Sequence, residues 1–215
     1  MELQIKKLFK DFNELQTLYG DKNLSAIYGA GRIKNPKLCF VFMNPTSRNV
    51  SSNKNWKGLR APWIGTKNVW KFLNDLDLID EKIFSEIIRK KPEEWSYEFA
   101  EKVYEDIAMK SLYITNLCKA TQKDAKPISK KVLLKYLDLF QVEIKLLNPQ
   151  IIVSFGSEVS SVLLGKNIKI SECRGSFQDI SIQNRSYKVF PTYYPVGQGI
   201  KNMKRAEEDL KLILD

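Results

Sequence analysis

Four short apolar segments, separated by longer stretches with helical spacing, are the feature that most constrains the fold of this chain. The segments are residues 38–43, 112–115, 151–155 and 187–191. Three of them are almost continuously hydrophobic, which is typical of strands that are covered on both faces. Strands that alternate with helices favour a mostly parallel sheet with helices on both sides. The sequence therefore predicts a three-layer α/β/α sandwich around a central, mostly parallel, four-stranded sheet.

The stretches between these segments are long enough for helices that connect parallel strands. They are residues 68–78, 79–110, 129–147 and 157–164, and a last one covers 206–215. Residues 1–19 also carry apolar side chains at helical spacing, and a Gly-Asp stop signal follows them. We expect one domain over residues 1–215, with a helical extension over about 1–35 and an acidic helical insertion over about 76–110.

Positive charge is concentrated in three stretches of the sequence. The formal net charge is +10, and residues 46–74 carry six basic side chains and no acidic one. Further basic stretches cover residues 119–135 and 185–205, whereas residues 75–106 hold eleven acidic and five basic side chains. Basic stretches of this kind are typical of surfaces that contact phosphate groups, although a solvated Lys-rich face accounts equally well for any single one. Together they predict a polyanionic partner.

The chain contains no histidine and three cysteines. Because none of the cysteines is paired in a metal-binding spacing, the usual zinc frameworks are excluded, and we expect reduced cytosolic thiols. Without imidazole, catalysis by Ser-His-Asp or Cys-His groups is excluded as well. The sequence shows neither a secretion signal nor an apolar stretch of membrane-spanning length. We therefore expect a soluble cytoplasmic protein that does not bind membranes.

Polar residues follow each predicted strand. They are residues 44–47, 116–119, 156–157 and 192–195. In a parallel sheet, ligands bind outside the carboxyl ends of the strands. We therefore expect the side chains at these positions to converge on one site: Asn44, Asn116, Ser157, Tyr193 and Tyr194.

Five short motifs resemble those of the uracil-DNA glycosylase superfamily and occur in the same order. They are Asn-Pro-Thr at 44–46, Pro-Trp-Ile-Gly at 62–65, Asn-Leu-Cys-Lys at 116–119, Arg-Gly at 174–175 and Pro-Thr-Tyr-Tyr-Pro at 191–195. The second resembles the Pro-Phe-Val-Gly segment of family 4 enzymes, and the last resembles Pro-Thr-Tyr-His-Pro with Tyr194 in place of His. The resemblance implies a glycosylase fold and hydrolysis of the N-glycosidic bond of uracil, or of a related modified pyrimidine, in DNA repair or modified-base removal.

The resemblance also implies a role for five residues around a flipped base. Asn44 would orient the attacking water through its amide oxygen, and Tyr194 would donate a hydrogen bond to the departing base. Trp63 would stack on the base, Asn116 would read its edge, and Met43 would contact it. Each motif also has a purely structural interpretation: a β-turn at Asn-Pro, a core aromatic at Trp63, and a turn or helix cap at Asn116.

DNA, single- or double-stranded, is the expected partner, and we expect the protein to be a monomer. Ser157 would hold a phosphate, although an ordinary helix N-cap explains this residue at least as well. Ile200 would insert as a wedge into the duplex. The remaining expected DNA contacts are Arg48, Lys57, Arg60, Lys67, Lys119, Lys201, Lys204 and Arg205.

We expect no metal and no other cofactor. Family 4 enzymes hold an iron–sulfur cluster with four cysteines, whereas Cys39, Cys118 and Cys173 are the three present here. No lysine is placed as a Schiff-base nucleophile, so the expected activity is that of a monofunctional glycosylase. Two alternatives remain. One is a glycosylase-fold module that binds modified or single-stranded nucleic acid without cleaving it. The other is an α/β protein that binds a nucleotide or another small molecule, against which stands the absence of a Gly-rich phosphate loop from the sequence.

Overall fold

The computed structural model describes residues 2–125 and 128–214. Within these ranges, six strands form one sheet in the order β1-β3-β2-β4-β6-β5. The strands are β1 Ala30–Gly31, β2 Leu38–Phe42, β3 Leu112–Asn116, β4 Ile151–Phe155, β5 Gln178–Ile182 and β6 Arg185–Thr192. The four inner strands are parallel, and β1 and β5 are antiparallel to their neighbours. The predicted sandwich and its parallel core are confirmed, but the sheet has six strands rather than four.

The two additional strands lie at the edges of the sheet and lack a continuous apolar pattern. Strand β1 has only two residues, and β5 alternates between more and less exposed side chains. A two-residue turn joins β5 to β6, and both of its residues, Gln183 and Asn184, have positive φ. This is the conformation of a type I′ hairpin turn, whose twist matches that of the flanking strands. The hairpin extends the sheet by one strand beyond the four that the apolar segments predict.

Helices cover both faces of the sheet. They are α1 Glu2–Tyr19, α2 Asn68–Asn74, α3 Glu81–Arg89, α4 Tyr97–Met109, α5 Lys130–Leu147, α6 Ser157–Leu163, α7 Ile170–Cys173 and α8 Met203–Leu214. Short 3-10 helices cover Val50–Ser52, Pro92–Glu94 and Gly197–Asn202. Buried side chains of α1, α5 and α6 pack on one face, and those of α2, α3, α4 and α8 pack on the other. No helix in the described ranges is long and apolar enough to cross a membrane.

Local sequence signals account for where three of these helices begin. Asp80, Ser96 and Ser129 precede α3, α4 and α5, and each side chain accepts a backbone N–H of the first turn. Such caps satisfy donors that the helix itself leaves unpaired. Helices α3 and α4 form the acidic segment, and their apolar faces bury residues such as Ile87 and Phe99 in the core. Most acidic side chains of this segment are exposed, whereas Asp106 of α4 is buried and accepts the backbone N–H of Asp80.

Strand β2 occupies the centre of the sheet, and all five of its residues are buried. Its last residue, Phe42, pairs in register with Asn116, the last residue of β3. On the other side, Phe155 at the end of β4 pairs with Thr192 at the end of β6. The four parallel strands therefore end at one edge of the sheet, and the chain segments that follow them meet there.

Candidate active site

A cavity of about 830 Å³ opens at the carboxyl edge of the parallel strands. Its walls include Met43, Asn44, Trp63, Asn116, Phe155 and Tyr194. The structure thus places all five residues with predicted catalytic or base-contacting roles around one cavity. A concave, largely apolar site with a few polar groups is typical of a small-molecule or base-binding pocket.

The Asn44-Pro45 turn is held by a neighbouring loop. Gln122 donates its backbone N–H to the Pro45 carbonyl at 3.1 Å and accepts the Ser47 N–H at 2.9 Å. The Asn44 side chain is half-buried, and its Nδ2 donates to the Pro45 carbonyl at 3.0 Å. Because this bond engages the donor end of the amide, the oxygen Oδ1 is the group that can accept a hydrogen bond in the cavity.

Trp63 has a backbone conformation that is rare for a bulky residue, with φ of 68°. Its carbonyl stabilises this conformation by accepting the Thr66 N–H at 3.0 Å, the Thr66 hydroxyl at 2.8 Å and the Trp70 Nε1–H at 3.1 Å. Trp70 is the buried core aromatic, and Trp63 lies in the cavity wall. Strained backbone that the surroundings hold in place is concentrated at functional sites.

Four aromatic rings are packed together at the cavity. Phe42 stacks on Phe155 with ring centroids 4.4 Å apart, and it meets Trp63 and Tyr194 edge to face at 5.0 and 5.8 Å. Phe42 and Phe155 are the last residues of two buried strands, and the apolar pattern of the sequence predicts only that they are strand residues. Their position at a strand end beside a polar turn was the signal that they support the site.

Asn116 is 1% exposed and lines the cavity from the end of β3. Its Nδ2 has no hydrogen-bond partner among the described residues, and neither does the buried Nε1 of Trp63. Leaving a buried donor unpaired costs about 1–3 kcal/mol, so such groups in native proteins call for an explanation. A ligand in the cavity that offers a hydrogen-bond acceptor would pair with such a donor and so explain it.

Tyr194 follows β6, and burial raises the pKa of its phenol. The hydroxyl is therefore protonated at neutral pH and is a hydrogen-bond donor. The preceding residues are held by α8, because Thr192 donates its hydroxyl to Asp209 at 2.6 Å and Arg174 binds the same carboxylate at 2.8 Å. The Tyr193 ring also contacts the guanidinium groups of Arg174 and Arg205, whose central carbons lie 5.5 and 5.7 Å from the ring centroid.

The 3-10 helix Gly197–Asn202 packs directly against the backbone of Tyr194. A Cβ atom at Gly199 would lie 2.0 Å from the Tyr194 carbonyl oxygen, so the position has room only for glycine. The next residue, Ile200, is 51% exposed. The expected wedge residue and the expected donor to the departing base therefore belong to adjoining segments of chain.

Most of the residues with expected DNA contacts lie at the surface. The exposed ones are Arg48, Lys57, Lys67, Ser157, Ile200, Lys201, Lys204 and Arg205. Arg48, Lys67 and Ser157 also line the cavity. Lys67 donates its Nζ to the Ile88 carbonyl, and Ser157 accepts the Ile170 N–H at 3.4 Å. These positions are compatible with contacts to a strand that enters the cavity.

Lys119 and Arg60 have other roles than the predicted ones. The prediction that Lys119 contacts DNA is wrong, because its side chain is 0% exposed and pairs with Glu143 inside the protein. Arg60 is half-buried, and its guanidinium donates to backbone carbonyls, including those of Asn53 and Trp56 at 2.9 Å. This placement supports a loop-bracing role for Arg60 and does not support the expected DNA contact.

The three cysteines do not fit a four-cysteine iron–sulfur site. Cys39 lies within β2 and Cys118 just after β3, and both are buried, whereas Cys173 lies in the short helix α7. Burial raises the pKa of the Cys39 thiol, and that of Cys118 to about 12. In residues 2–125 and 128–214, no group of three or more His, Cys, Asp or Glu side chains is arranged to hold a metal ion.

Comparison with protein families identifies this arrangement. The model of the uracil DNA glycosylase superfamily matches residues 28–215, which include every strand of the sheet and every residue of the cavity wall. A search of curated proteins finds no match.

Proposed function

The chain belongs to the uracil DNA glycosylase superfamily, and on that premise we propose that it removes uracil, or a closely related modified pyrimidine, from DNA. One observation carries the proposal: Asn44, Trp63, Asn116 and Tyr194 come from four separate segments and line the same cavity. The fold and the action of this superfamily on DNA follow from membership. The identity of the base and the roles of individual residues are our proposal.

The cavity provides a site for a base that has left the helical stack. Trp63 stacks on the base, a contact that is worth about 1–3 kcal/mol. Asn116 donates from its unpaired Nδ2 to a carbonyl oxygen of the base, and its Oδ1 accepts the neighbouring ring N–H. A pyrimidine with a carbonyl beside an N–H has this edge. Met43 adds an apolar contact from the end of β2.

Hydrolysis follows from the same arrangement. Asn44 Oδ1 accepts a hydrogen bond from a water molecule and orients its oxygen towards the sugar C1′. The C1′–N bond breaks, its electron pair leaves with the base, and the oxygen–C1′ bond forms. The proton from the water is passed to solvent. Tyr194, kept protonated by burial, donates to the base carbonyl on which negative charge develops.

Two features support a glycosylase without lyase activity. Asn44 is neutral, so it orients water and does not attack the sugar itself. Lys67 lines the cavity, but its Nζ donates to the carbonyl of Ile88, a residue outside the cavity wall. The product of the proposed reaction is an abasic site in an intact strand.

Exposed basic residues from two segments of the chain hold the DNA. Arg48, Lys57 and Lys67 lie in the acid-free stretch after β2, and Lys201, Lys204 and Arg205 follow the segment that carries Ile200. We propose that a monomer binds the phosphates with these residues and with Ser157, while Ile200 fills the space left by the flipped base.

A second candidate is a module that binds modified or single-stranded nucleic acid without cleaving it. Tyr194 favours it, because a bulky phenol stands where the motif resemblance places histidine and because the chain contains no histidine. This candidate predicts salt-dependent binding of DNA without release of a free base.

Incubation with uracil-containing single- and double-stranded oligonucleotides, followed by alkali, tests the proposal. We expect strand breaks at the uracil position and free uracil in the supernatant. Asn44→Ala should slow base release by about a hundredfold or more, the range for loss of a group that positions a reactant. Asn23→Ala, at an exposed asparagine outside the cavity, is the matched control and should retain wild-type activity. Tight binding with no base release would establish the second candidate instead.

A further inference from the structure

Lys119 and Glu143 form an ion pair inside the protein, on the side of the sheet that is covered by α1 and α5. Lys119 Nζ lies 2.6 Å from Glu143 Oε2, and the two side chains are 0% and 3% exposed. Removing two charges from water is costly, and their mutual attraction offsets that cost only when the remaining hydrogen-bonding groups are satisfied. Apolar residues of similar size at such positions often stabilise a fold equally well.

Every donor of this ammonium group has a partner. Besides Glu143, Lys119 Nζ donates to the Thr115 hydroxyl at 2.7 Å and to the backbone carbonyl of Asn116. Glu143 Oε1 in turn accepts the Tyr113 hydroxyl at 2.9 Å and the Thr115 hydroxyl at 3.2 Å. The network therefore connects α5 to three residues of β3, including the last one, Asn116.

The bond to Asn116 links this network to the cavity. Residues Tyr113 and Thr115 project towards α5, whereas the side chain of Asn116 lines the cavity. The ammonium group therefore holds the peptide of Asn116 from the opposite face of the sheet. The carbonyls of Phe42, which ends β2, and of the next residue, Met43, accept the N–H groups of the two residues that follow Asn116, at 2.8 and 2.9 Å.

We propose that the Lys119–Glu143 pair positions Asn116, so that its amide is held at the geometry needed to read the base. The assignment of Asn116 to the base rests on the proposed function; the bracing of the β3 end by the pair does not. Both are positioning residues, since neither contacts the base. The charged pair is used here because its ammonium can bind a hydroxyl, a carbonyl and a carboxylate at once, which an apolar pair cannot do.

The test removes both charges together, with Lys119→Met/Glu143→Leu, so that no uncompensated charge stays in the core. The matched control is Lys102→Met/Glu86→Gln, which removes an exposed pair between α4 and α3 whose N–O distance is 3.1 Å. Four quantities are measured with a uracil-containing oligonucleotide as substrate. They are hydrogen exchange of the Leu117 and Cys118 amides, the single-turnover rate constant for uracil release, the reaction amplitude and the DNA dissociation constant.

We expect exchange of these two amides to be about tenfold faster in the double variant, with β4 amides unchanged. The rate constant for uracil release should fall by about tenfold or more. The reaction amplitude and the DNA dissociation constant should stay within about twofold of wild type, because a loss of folded protein would lower the amplitude instead. The control variant should match wild type in all four quantities.

Unchanged exchange of Leu117 and Cys118 in the folded double variant would overturn the proposal, and so would faster exchange with an unchanged rate constant. If wild type releases no uracil, the proposed function fails separately, and exchange alone decides whether the pair braces the β3 end. If the double variant does not fold, Thr115→Val removes the hydroxyl that contacts both charges. Exchange about threefold faster at Leu117 and Cys118 would then support the proposal, and unchanged exchange would overturn it.

Discussion

The indole of Trp63 meets the ring of Phe42 edge to face, with centroids 5.0 Å apart and planes at 76°. Phe42 ends the central strand, and Trp63 belongs to a loop whose strained backbone is held by hydrogen bonds to its carbonyl. The cavity wall that faces a base is thus fixed to the core of the sheet. This relationship makes Trp63 a rigid surface rather than a mobile side chain.

Removal of the Trp63 ring should slow release of the base. In Trp63→Ala, loss of about 1–3 kcal/mol of stacking corresponds to a decrease of about 5- to 150-fold in the single-turnover rate. Trp63→Phe keeps a flat ring and removes the unpaired Nε1–H, so it should retain most of the rate. Tyr97→Ala, at a 47% exposed aromatic outside the cavity, serves as the control. A wild-type rate for Trp63→Ala would contradict the stacking role.

Lys119→Met alone should be strongly destabilising. It leaves the Glu143 carboxylate buried without its counter-charge, which typically costs about 3–5 kcal/mol in the free energy of unfolding. The double variant Lys119→Met/Glu143→Leu leaves no such charge and should lose much less. Urea unfolding of both variants measures the difference. Equal losses for the single and double variants would show that the charges are not coupled.

Gly199→Ala should impair base release through its contact with Tyr194. The added Cβ would lie 2.0 Å from the Tyr194 carbonyl oxygen, so either the wedge segment or Tyr194 must move. Gly165→Ala is the control, because nothing lies within 4 Å of its Cβ and only the positive φ is unfavourable. We expect a loss of about tenfold or more in single-turnover rate for Gly199→Ala alone. Equal rates for the two variants would exclude the proposed coupling.

The pH dependence should show no loss of activity from ionisation of Tyr194 in the neutral range. Burial raises the phenol pKa above its usual value of 10.0, so the protonated donor persists through neutral and mildly alkaline pH. Burial of the neutral phenol contributes to folding stability fully at pH values below the pKa that Tyr194 has in the unfolded chain. This contribution is lost as the pH rises through the pKa of Tyr194 in the folded protein. Rate profiles between about pH 6 and 9.5 check this, and a decline centred below the unperturbed pKa of about 10 would contradict it.

Tyr194→Phe separates the hydroxyl from the ring. The variant keeps the edge-to-face contact with Phe42, whose ring centroid is 5.8 Å away, and removes the donor to the departing base. We expect base release to slow by about a hundredfold, the magnitude for loss of one preorganised donor. DNA affinity should be unchanged. A wild-type rate for Tyr194→Phe would assign leaving-group stabilisation to another residue.

Local patterns in the sequence were sufficient to predict the parallel core and the convergence of the strand ends. Buried strands are continuous apolar runs, and parallel topology brings whatever follows them to one edge. The search for continuous apolar segments selects neither β1, which has two residues, nor β5, which alternates in burial. A strand of two residues cannot be distinguished from a loop until its neighbour is known, whereas the alternation in β5 is the pattern of a strand with one exposed face.

The role of Lys119 was not predictable from its neighbours. In sequence it stands at the start of a basic stretch, directly after a polar strand end. Its burial depends on Glu143 in α5, and on the rings of Phe12 and Phe140, which lie 5.0 and 5.5 Å from its Nζ. These partners are distant along the chain, so only the packing of α1 and α5 on the sheet brings them together.

The most direct test of the account is detection of free uracil by mass spectrometry after stoichiometric incubation with a uracil-containing oligonucleotide. We predict release of about one base per site by wild type, and release slower by about a hundredfold or more in Asn44→Ala, with Asn23→Ala unchanged. Wild-type protein that binds the oligonucleotide but releases no base, or an Asn44→Ala variant with the wild-type rate, would contradict the account.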